Sequence, residues 1–369
     1  MRYLIAPDKF KGTLSAQEVA ETIAAAIRKG NPDADMDLLP VADGGEGTAT
    51  LLATQLSAER KIMGAVDPIG RPIEAEYFVR GREAILDMSA ASGLWRVRQD
   101  ERDPLRSSTY GTGMIIWHLI ENGVERIFIG LGGSATVDAG LGMGAALGYR
   151  FYGAGDSEID PFPAAFARIQ KVKPPPMIRI PEVIGLADVE TILTGPQGAT
   201  YTFGPQKGLS PEEVQALDHD LAGLVVRLEQ SLGTNFSSVP RAGAAGGFGY
   251  GILTFLRGKL VSGFEVIADK LELRKRIQAA DIVITGEGKL DLQSLEGKAP
   301  FGVAVLAKEA GKRVWAIAGV IENRDLVAPY FEKLISLAGG DVALEEAIRN
   351  PIEVLRRRTT QLCRGNEPL

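Results

Sequence analysis

The sequence predicts a two-domain α/β protein, on three observations. The chain opens as strand, loop, helix, strand, loop, helix, the rhythm of a parallel sheet. Residues 61–90 alternate apolar and polar, with breaks at Asp67-Pro68-Ile69-Gly70-Arg71-Pro72 and Arg80-Gly81-Arg82, which reads as antiparallel strands. The parallel rhythm returns near the end, where the strand Asp281–Thr285 is followed by glycine loop, helix and strand. The expectation is a discontinuous parallel-sheet domain of Rossmann or flavodoxin-like type from residues 1–60 and 256–369. A mixed α/β domain is inserted over 61–255. A length of 369 residues also points to two or more domains.

The elements follow in order. Arg2 to Ala6 is an apolar strand, and Pro7-Asp8-Lys9-Phe10-Lys11-Gly12-Thr13 a loop. Ser15-Ala16-Gln17-Glu18 is a capping box, after which Val19, Ile23 and Ile27 recur at helical spacing up to Gly30. Met36 to Pro40 is a second strand, leading into Ala42-Asp43-Gly44-Gly45-Glu46-Gly47-Thr48 and a helix. Residues 109–122 form a helix and Arg126–Gly130 a strand. Gly132-Gly133-Ser134-Ala135-Thr136 comes next, followed by a glycine-rich helix to Leu147. Ser210, Pro211 and Glu213 open a helix with Val214, Leu217, Leu221, Leu224, Val225 and Leu228 on one face. Pro300–Ala310 is a helix ended by Gly311; Val314–Ala318 and Leu334–Leu337 are strands.

Composition excludes several classes. With 41 basic and 47 acidic residues, net −6, the chain lacks the positive surface of a nucleic-acid binder. The basic run Arg356-Arg357-Arg358 reads as the solvated face of a C-terminal helix. A single cysteine, Cys363, excludes an intrachain disulfide and a zinc-thiolate cluster. The apolar run at the N-terminus is too short for a signal segment, and no stretch approaches the roughly 20 apolar residues of a membrane helix. A cytoplasmic protein is expected; a homo-oligomer stays open. The two histidines, His118 and His219, stand in helix patterns and read as structural, so general-base work falls to carboxylates or lysines.

Glycine is abundant, 44 of 369 residues, and four glycine loops stand at strand ends. Ligands of open α/β sheets bind there. Gly132 to Thr136 is the best anion cradle: glycines let backbone N–H groups converge, and hydroxyls add donors. The same stretch, Gly130-Leu131-Gly132-Gly133-Ser134-Ala135, matches a dinucleotide fingerprint, but the required acidic residue about 20 positions on is missing. No Walker A pattern is present. Asp43 and Glu46, and Glu287 and Asp291, lie among glycines. They suit either Mg²⁺ or simple helix N-terminal charge. Lys9 and Lys11 offer an anion contact.

Seven motifs, in this order along nearly the whole chain, resemble the bacterial glycerate kinase family of the non-MOFRL type. They are Ala6 to Leu14; Ala42 to Thr48; Ser108-Thr109-Tyr110-Gly111-Thr112-Gly113; Gly132 to Thr136; Phe203-Gly204-Pro205-Gln206-Lys207-Gly208; Gly243-Ala244-Ala245-Gly246-Gly247; and Ile284 to Gly288 with Asp291, Gln293, Gly297 and Lys298. Val137 stands where the family commonly has Asn, and Met114 where it often has Glu. The resemblance implies ATP-dependent phosphorylation of D-glycerate, 2-phosphoglycerate favoured over 3-phosphoglycerate, in a two-domain enzyme with its site between the domains.

Within that frame Gly132, Gly133, Ser134, Ala135 and Thr136, with Gly286 and Lys298, are expected to bind ATP. Asp43, Glu287 and Asp291 are expected around Mg²⁺. Asp8, Lys9, Lys11, Ser108, Thr109, Gly111 and Thr112 are expected at the substrate. Lys207 is expected to stabilise the transferring phosphoryl group or the substrate carboxylate. Asp188, after the apolar run Val183–Ala187, is the first choice for general base and Asp43 the second.

Overall fold

Capping and periodicity place the first helix where the sequence puts it. The computed structural model describes residues 1–176, 179–291 and 298–364. Strand β1 (Arg2–Ile5) leads to α1 (Ala16–Gly30), whose Ser15 and Glu18 satisfy each other's backbone amides. Then come β2 (Asp35–Leu38), α2 (Thr48–Leu56), the hairpin β3 (Glu59–Val66) and β4 (Pro72–Arg80), and β5 (Glu83–Asp87). The middle of the chain carries α3 (Ser89–Ser92), α4 (Tyr110–Glu121), β6 (Arg126–Gly130), α5 (Leu141–Ala146), β7 (Arg150–Tyr152), β8 (Lys171–Lys173) and β9 (Glu182–Leu186). It continues with α6 (Ala199–Lys207), α7 (Pro211–Leu232), α8 (Ala244–Phe255) and β10 (Lys259–Val261). The C-terminal third holds α9 (Gly263–Lys270), α10 (Leu273–Ala279), β11 (Ile282–Thr285), β12 (Lys289–Leu290), α11 (Ala299–Glu309), β13 (Arg313–Ala318) and β14 (Val320–Ile321). It ends with α12 (Arg324–Val327), β15 (Lys333–Ser336), α13 (Leu344–Arg349) and α14 (Pro351–Arg364).

Contacts divide the chain into two compact units, Met1–Asp43 with Phe264–Leu369, and Gly44–Gly263. The first is built on a five-stranded parallel sheet, β15-β13-β11-β1-β2. Counting only its own strands in chain order, this is the flavodoxin-like order 2-1-3-4-5. Its core includes Ile5, Ile23, Ile284, Ile317 and Leu355, all fully buried. The second unit is built on a six-stranded sheet, β10-β9-β6-β5-β4-β3. Strands β5, β6, β9 and β10 run parallel; β3 and β4 run antiparallel, as the alternation over 61–90 predicts. Leu86, Ile116, Ile129, Leu224 and Phe255 are fully buried in its core.

The division falls at 43/44 and 263/264, so residues 44–60 and 256–263 group with the second unit. The physical reason is packing. Helix α2 lies against β4 and β5, and β10 pairs with β9. A chain reading from local pattern alone has no access to either contact.

Two local expectations change. The helix after the Gly132–Thr136 loop opens only at Leu141; just before it, Asp138 accepts from the Gly140 and Gly142 amides. The basic run on α14 is not wholly solvated. Arg358 is fully buried, donating from Nη2 to Gly339 O (2.6 Å) and pairing through Nη1 with Asp341 (3.0 Å). It secures the turn after β15. His118 is also structural in its contacts: its Nε2 is 3.1 Å from the Tyr77 hydroxyl. No described helix is long and apolar enough to cross a membrane.

Candidate active site

In the second unit, β6 delivers the loop 131–140 at its carboxyl end. The loop is stitched to the segment after β5: Leu94 N donates to Gly133 O (2.8 Å) and Ala135 N to Ser92 O (2.9 Å). Among the described residues, no hydrogen bond uses the amides of Gly132, Gly133, Ser134 or Thr136. Gly133 has φ +73, and a Cβ there would meet Glu46 Oε2 at 2.8 Å. Thr136 is buried, and its hydroxyl has no hydrogen-bond partner among the described residues. Successive amides without acceptors, beside hydroxyls, form an anion-binding concavity. The dinucleotide fingerprint needs a helix opening directly on such a loop; here the helix starts at Leu141 and no acidic residue ends the next strand.

Lys207, the last residue of α6, lies beneath this loop with 2% of its surface exposed. Its Nζ donates to Ser134 Oγ (2.7 Å) and to Thr136 O (2.6 Å). Burial pushes its ammonium down to about 7, while the negative charge of Asp138 pulls the other way. Asp138 is fully buried. It accepts from Thr109 N (2.7 Å), Thr109 Oγ1 (2.8 Å), Gly140 N (3.2 Å) and Gly142 N (3.1 Å). Burial raises its carboxyl above the usual range and those four donors act to lower it. The third wall is the start of α8, where Ala245, Gly246 and Gly247 are left-handed. A Cβ on Gly246 would stand 1.9 Å from Thr136 O, so the loop is pressed onto a residue that must be glycine.

The expected substrate residues of the second unit are mostly interior. Thr109 is spent on Asp138. Thr112, fully buried, bonds Ser92 Oγ (2.7 Å) and Met88 O (3.1 Å). A Cβ on Gly111 would meet Val66 O at 1.9 Å. These three hold the loop's surroundings together; Ser108, half-buried, is the one with exposed surface. Asp188 follows β9 as expected. Its Oδ1 accepts from Ser262 Oγ (2.8 Å) and Gly263 N (3.0 Å), bracing the entry to α9. A wider pocket of about 1140 Å³ opens around His118, Arg179 and Glu182. It lies at the amino ends of β6 and β9, the wrong end of a parallel sheet for its usual ligand site.

In the first unit, β1 connects outward to β2 and β11 connects the opposite way to β13, so the topological switch lies between β1 and β11. The residues after these strands meet there: Asp8 N donates to Gly286 O (2.8 Å). Asp8 is buried, and its carboxyl is pushed up to about 8. Burial is the main cause, the charge of Asp43 comes next, and Glu287 adds to it; the Lys9 amide, 2.6 Å from Oδ1, opposes them. Lys9 is half-buried and Lys11 exposed in the same loop. A Cβ on Gly286 would stand 1.8 Å from Ile317 O. Lys298 Nζ lies 3.8 Å from Glu287 and 4.0 Å from Asp291, and Lys289 pairs with Asp291 at 3.4 Å. Gln293 and Gly297 lie outside the described residues.

Among the described residues, no three His, Cys, Asp or Glu side chains are arranged to hold a metal ion. Asp43 and Glu287 both act on Asp8, and Asp291 lies beside Lys289 and Lys298. Sequence reasoning also passed over Asp138. Its signal was available, an Asp in a glycine loop with glycines two and four positions on, the pattern of a carboxylate that bonds its own backbone.

A family model described as the glycerate kinase family matches residues 3–366. The chain is 40% identical to a glycerate kinase of Bacillus subtilis (strain 168) over 98% of this chain and 97% of the relative. It is 40% identical to a glycerate 2-kinase of Escherichia coli (strain K12) over 99% of each. The crystal structure of a protein described as glycerate kinase 2, from Salmonella typhimurium LT2, superposes with a TM-score of 0.84. That pair shares 37% identity, with 99% of this chain and 98% of the other covered. This chain belongs to the glycerate kinase family and is a phosphotransferase.

Proposed function

We propose that the protein transfers the terminal phosphoryl group of ATP to a hydroxyl of D-glycerate, giving 2-phosphoglycerate in preference to 3-phosphoglycerate. The observation that carries this reading is the loop 132–136, whose four uncommitted amides lie over the buried Lys207 ammonium. Phosphoryl transfer needs positioning and charge neutralisation more than covalent chemistry. The amides of Gly132, Gly133, Ser134 and Thr136 receive the phosphate oxygens. Lys207 spends two donors on fixing Ser134 and Thr136 and adds positive potential under the loop.

Asp188 accepts the proton of the attacking hydroxyl, with Asp43 as the second choice. Lys9 and Lys11 supply positive charge for the acid substrate, and Asp8 and Ser108 add polar contacts to it. Gly286 and Lys298 are assigned to the nucleotide. Asp43, Glu287 and Asp291 are the carboxylates that would hold a Mg²⁺ ion, which would neutralise phosphate charge.

The experiment is a coupled assay of ADP release with D-glycerate, followed by ³¹P and ¹³C NMR of the product. ADP release that depends on D-glycerate, with phosphorus coupled to C2, supports the whole reading. Phosphorus at C3 removes the regiochemistry. ADP release independent of glycerate removes the acceptor.

A further inference from the structure

Beside the phosphate loop lies a pocket of about 210 Å³ with no role so far. We propose that it receives the nucleoside half of the phosphoryl donor, its purine ring stacked on Trp95. The proposal rests on the donor reading above and adds where the base goes.

Three observations carry it. The first is continuity. Residues 92–94 pair with 133–135 through two backbone bonds, and Trp95 follows directly. Glu46 lines the pocket and also lies against Gly133. A nucleotide whose phosphates meet the loop amides therefore has its base within reach of this pocket.

The second is the platform. Trp95 is 60% exposed, an unusual amount for the largest apolar side chain. Its ring is not loose. The Arg96 guanidinium lies 4.3 Å from the ring centroid, and is itself anchored to Ala90 O (2.7 Å) and Glu74 O (3.0 Å). An aromatic surface fixed on one face by an anchored arginine is a ready stacking surface for a flat ring. Phe78, buried, forms part of the lining. The volume is below the roughly 300–1000 Å³ of drug-sized sites and suits one ring system.

The third is charge. The pocket carries the carboxylate of Glu46, that of Glu76, which pairs with Arg60 (2.8 Å), and the hydroxyls of Thr50 and Ser89. Asp87 is used to cap α2, accepting from Gly47 N (2.8 Å) and Ala49 N (3.1 Å). Among the described residues, no lysine or arginine lines the pocket. It accepts from donors, which a nucleoside offers in its exocyclic amine and ribose hydroxyls. The phosphate-binding amides and the donor-accepting pocket thus sort the two halves of one molecule.

The test measures dissociation constants by calorimetry for ATP and for inorganic tripolyphosphate, on the parent, Trp95→Ala, Trp95→Phe and Ser134→Asp. Thermal melts verify folding. Trp95→Ala should weaken ATP about tenfold or more, the scale of lost base stacking, and leave tripolyphosphate within twofold. Trp95→Phe should retain most of the ATP affinity. In the same Phe variant, ATP should no longer quench tryptophan emission, because Trp117 and Trp315 remain as distant reporters. ATP affinity unchanged in Trp95→Ala, or equal weakening of both ligands, overturns the proposal. Ser134→Asp separates the two readings. If it abolishes both ligands while Trp95→Ala changes neither, the phosphate loop stands and the base pocket falls. If it changes neither ligand, the donor reading itself falls.

Discussion

Lys207 Nζ donates to Ser134 Oγ over 2.7 Å from a position almost sealed from solvent, joining residues 73 positions apart. A buried ammonium is costly unless it is hydrogen-bonded. Among the described residues its hydrogen bonds go to the loop it supports, to the hydroxyl of Ser134 and the carbonyl of Thr136. The shape of the phosphate cradle and the protonation of one lysine are therefore linked.

Replacing that lysine should separate activity from stability. Lys207→Met fills the space without charge. Turnover should fall about 10²-fold or more, the scale of losing one preorganised charge-stabilising donor. Because the folded ammonium titrates near 7 and the unfolded one near its ordinary 10.5, the unfolded chain binds more protons between those values. Stability contributed by this site therefore rises with pH across that window, and the penalty is fully present below about 7. Urea midpoints from pH 6 to 10 should show that slope in the parent and lose it in Lys207→Met. An unchanged slope would separate the lysine from the pH response.

Asp8 gives the opposite sign. Its folded value is raised to about 8 from an ordinary value near 4. The folded chain binds more protons between those limits, so stability from this group is full below about 4 and is lost as pH rises through about 8. Asp8→Asn removes the titration. Relative to the parent, its urea midpoint should improve from pH 5 to about pH 8 and level off above it. A constant difference would mean that Asp8 is not the titrating group.

Much of this architecture was legible in the sequence, and the reasons are local. Ser15 with Glu18 and Ser210 with Glu213 are short-range capping chemistry, and both helices start where those residues put them. The apolar runs of β6 and β11 needed no tertiary information either. What was not legible depends on distant partners. The left-handed run Ala245 to Gly247 has meaning only because Thr136 O presses on Gly246. Arg358 reads as solvated until Gly339 and Asp341 are seen around it. In the site, the glycine loop could be found by composition. The burial of Thr109 and Thr112 could not, because it comes from Asp138, Ser92 and Met88.

Gly246 therefore makes a sharp steric prediction. With φ +68 and only 1.9 Å between a built Cβ and Thr136 O, Gly246→Ala must displace the carbonyl that Lys207 holds. Destabilisation of about 2 kcal/mol or more is expected from strain of this kind, with a raised KM for ATP. Urea unfolding and steady-state kinetics measure both. A variant as stable as the parent would show that the two loops are not in contact.

Asp188→Asn keeps the shape of the side chain and removes its basicity. Turnover should fall about 10²-fold or more while ATP affinity holds. Turnover within a few-fold of the parent would leave Asp188 with its bracing of Ser262 and Gly263 alone, and would move the base assignment to Asp43.

The most direct measurement is a crystal structure with a non-hydrolysable ATP analogue. Phosphate oxygens should lie within hydrogen-bonding distance of the amides of Gly132, Gly133, Ser134 and Thr136, above an undisturbed Lys207. A triphosphate bound elsewhere, with those amides turned to water, would contradict it.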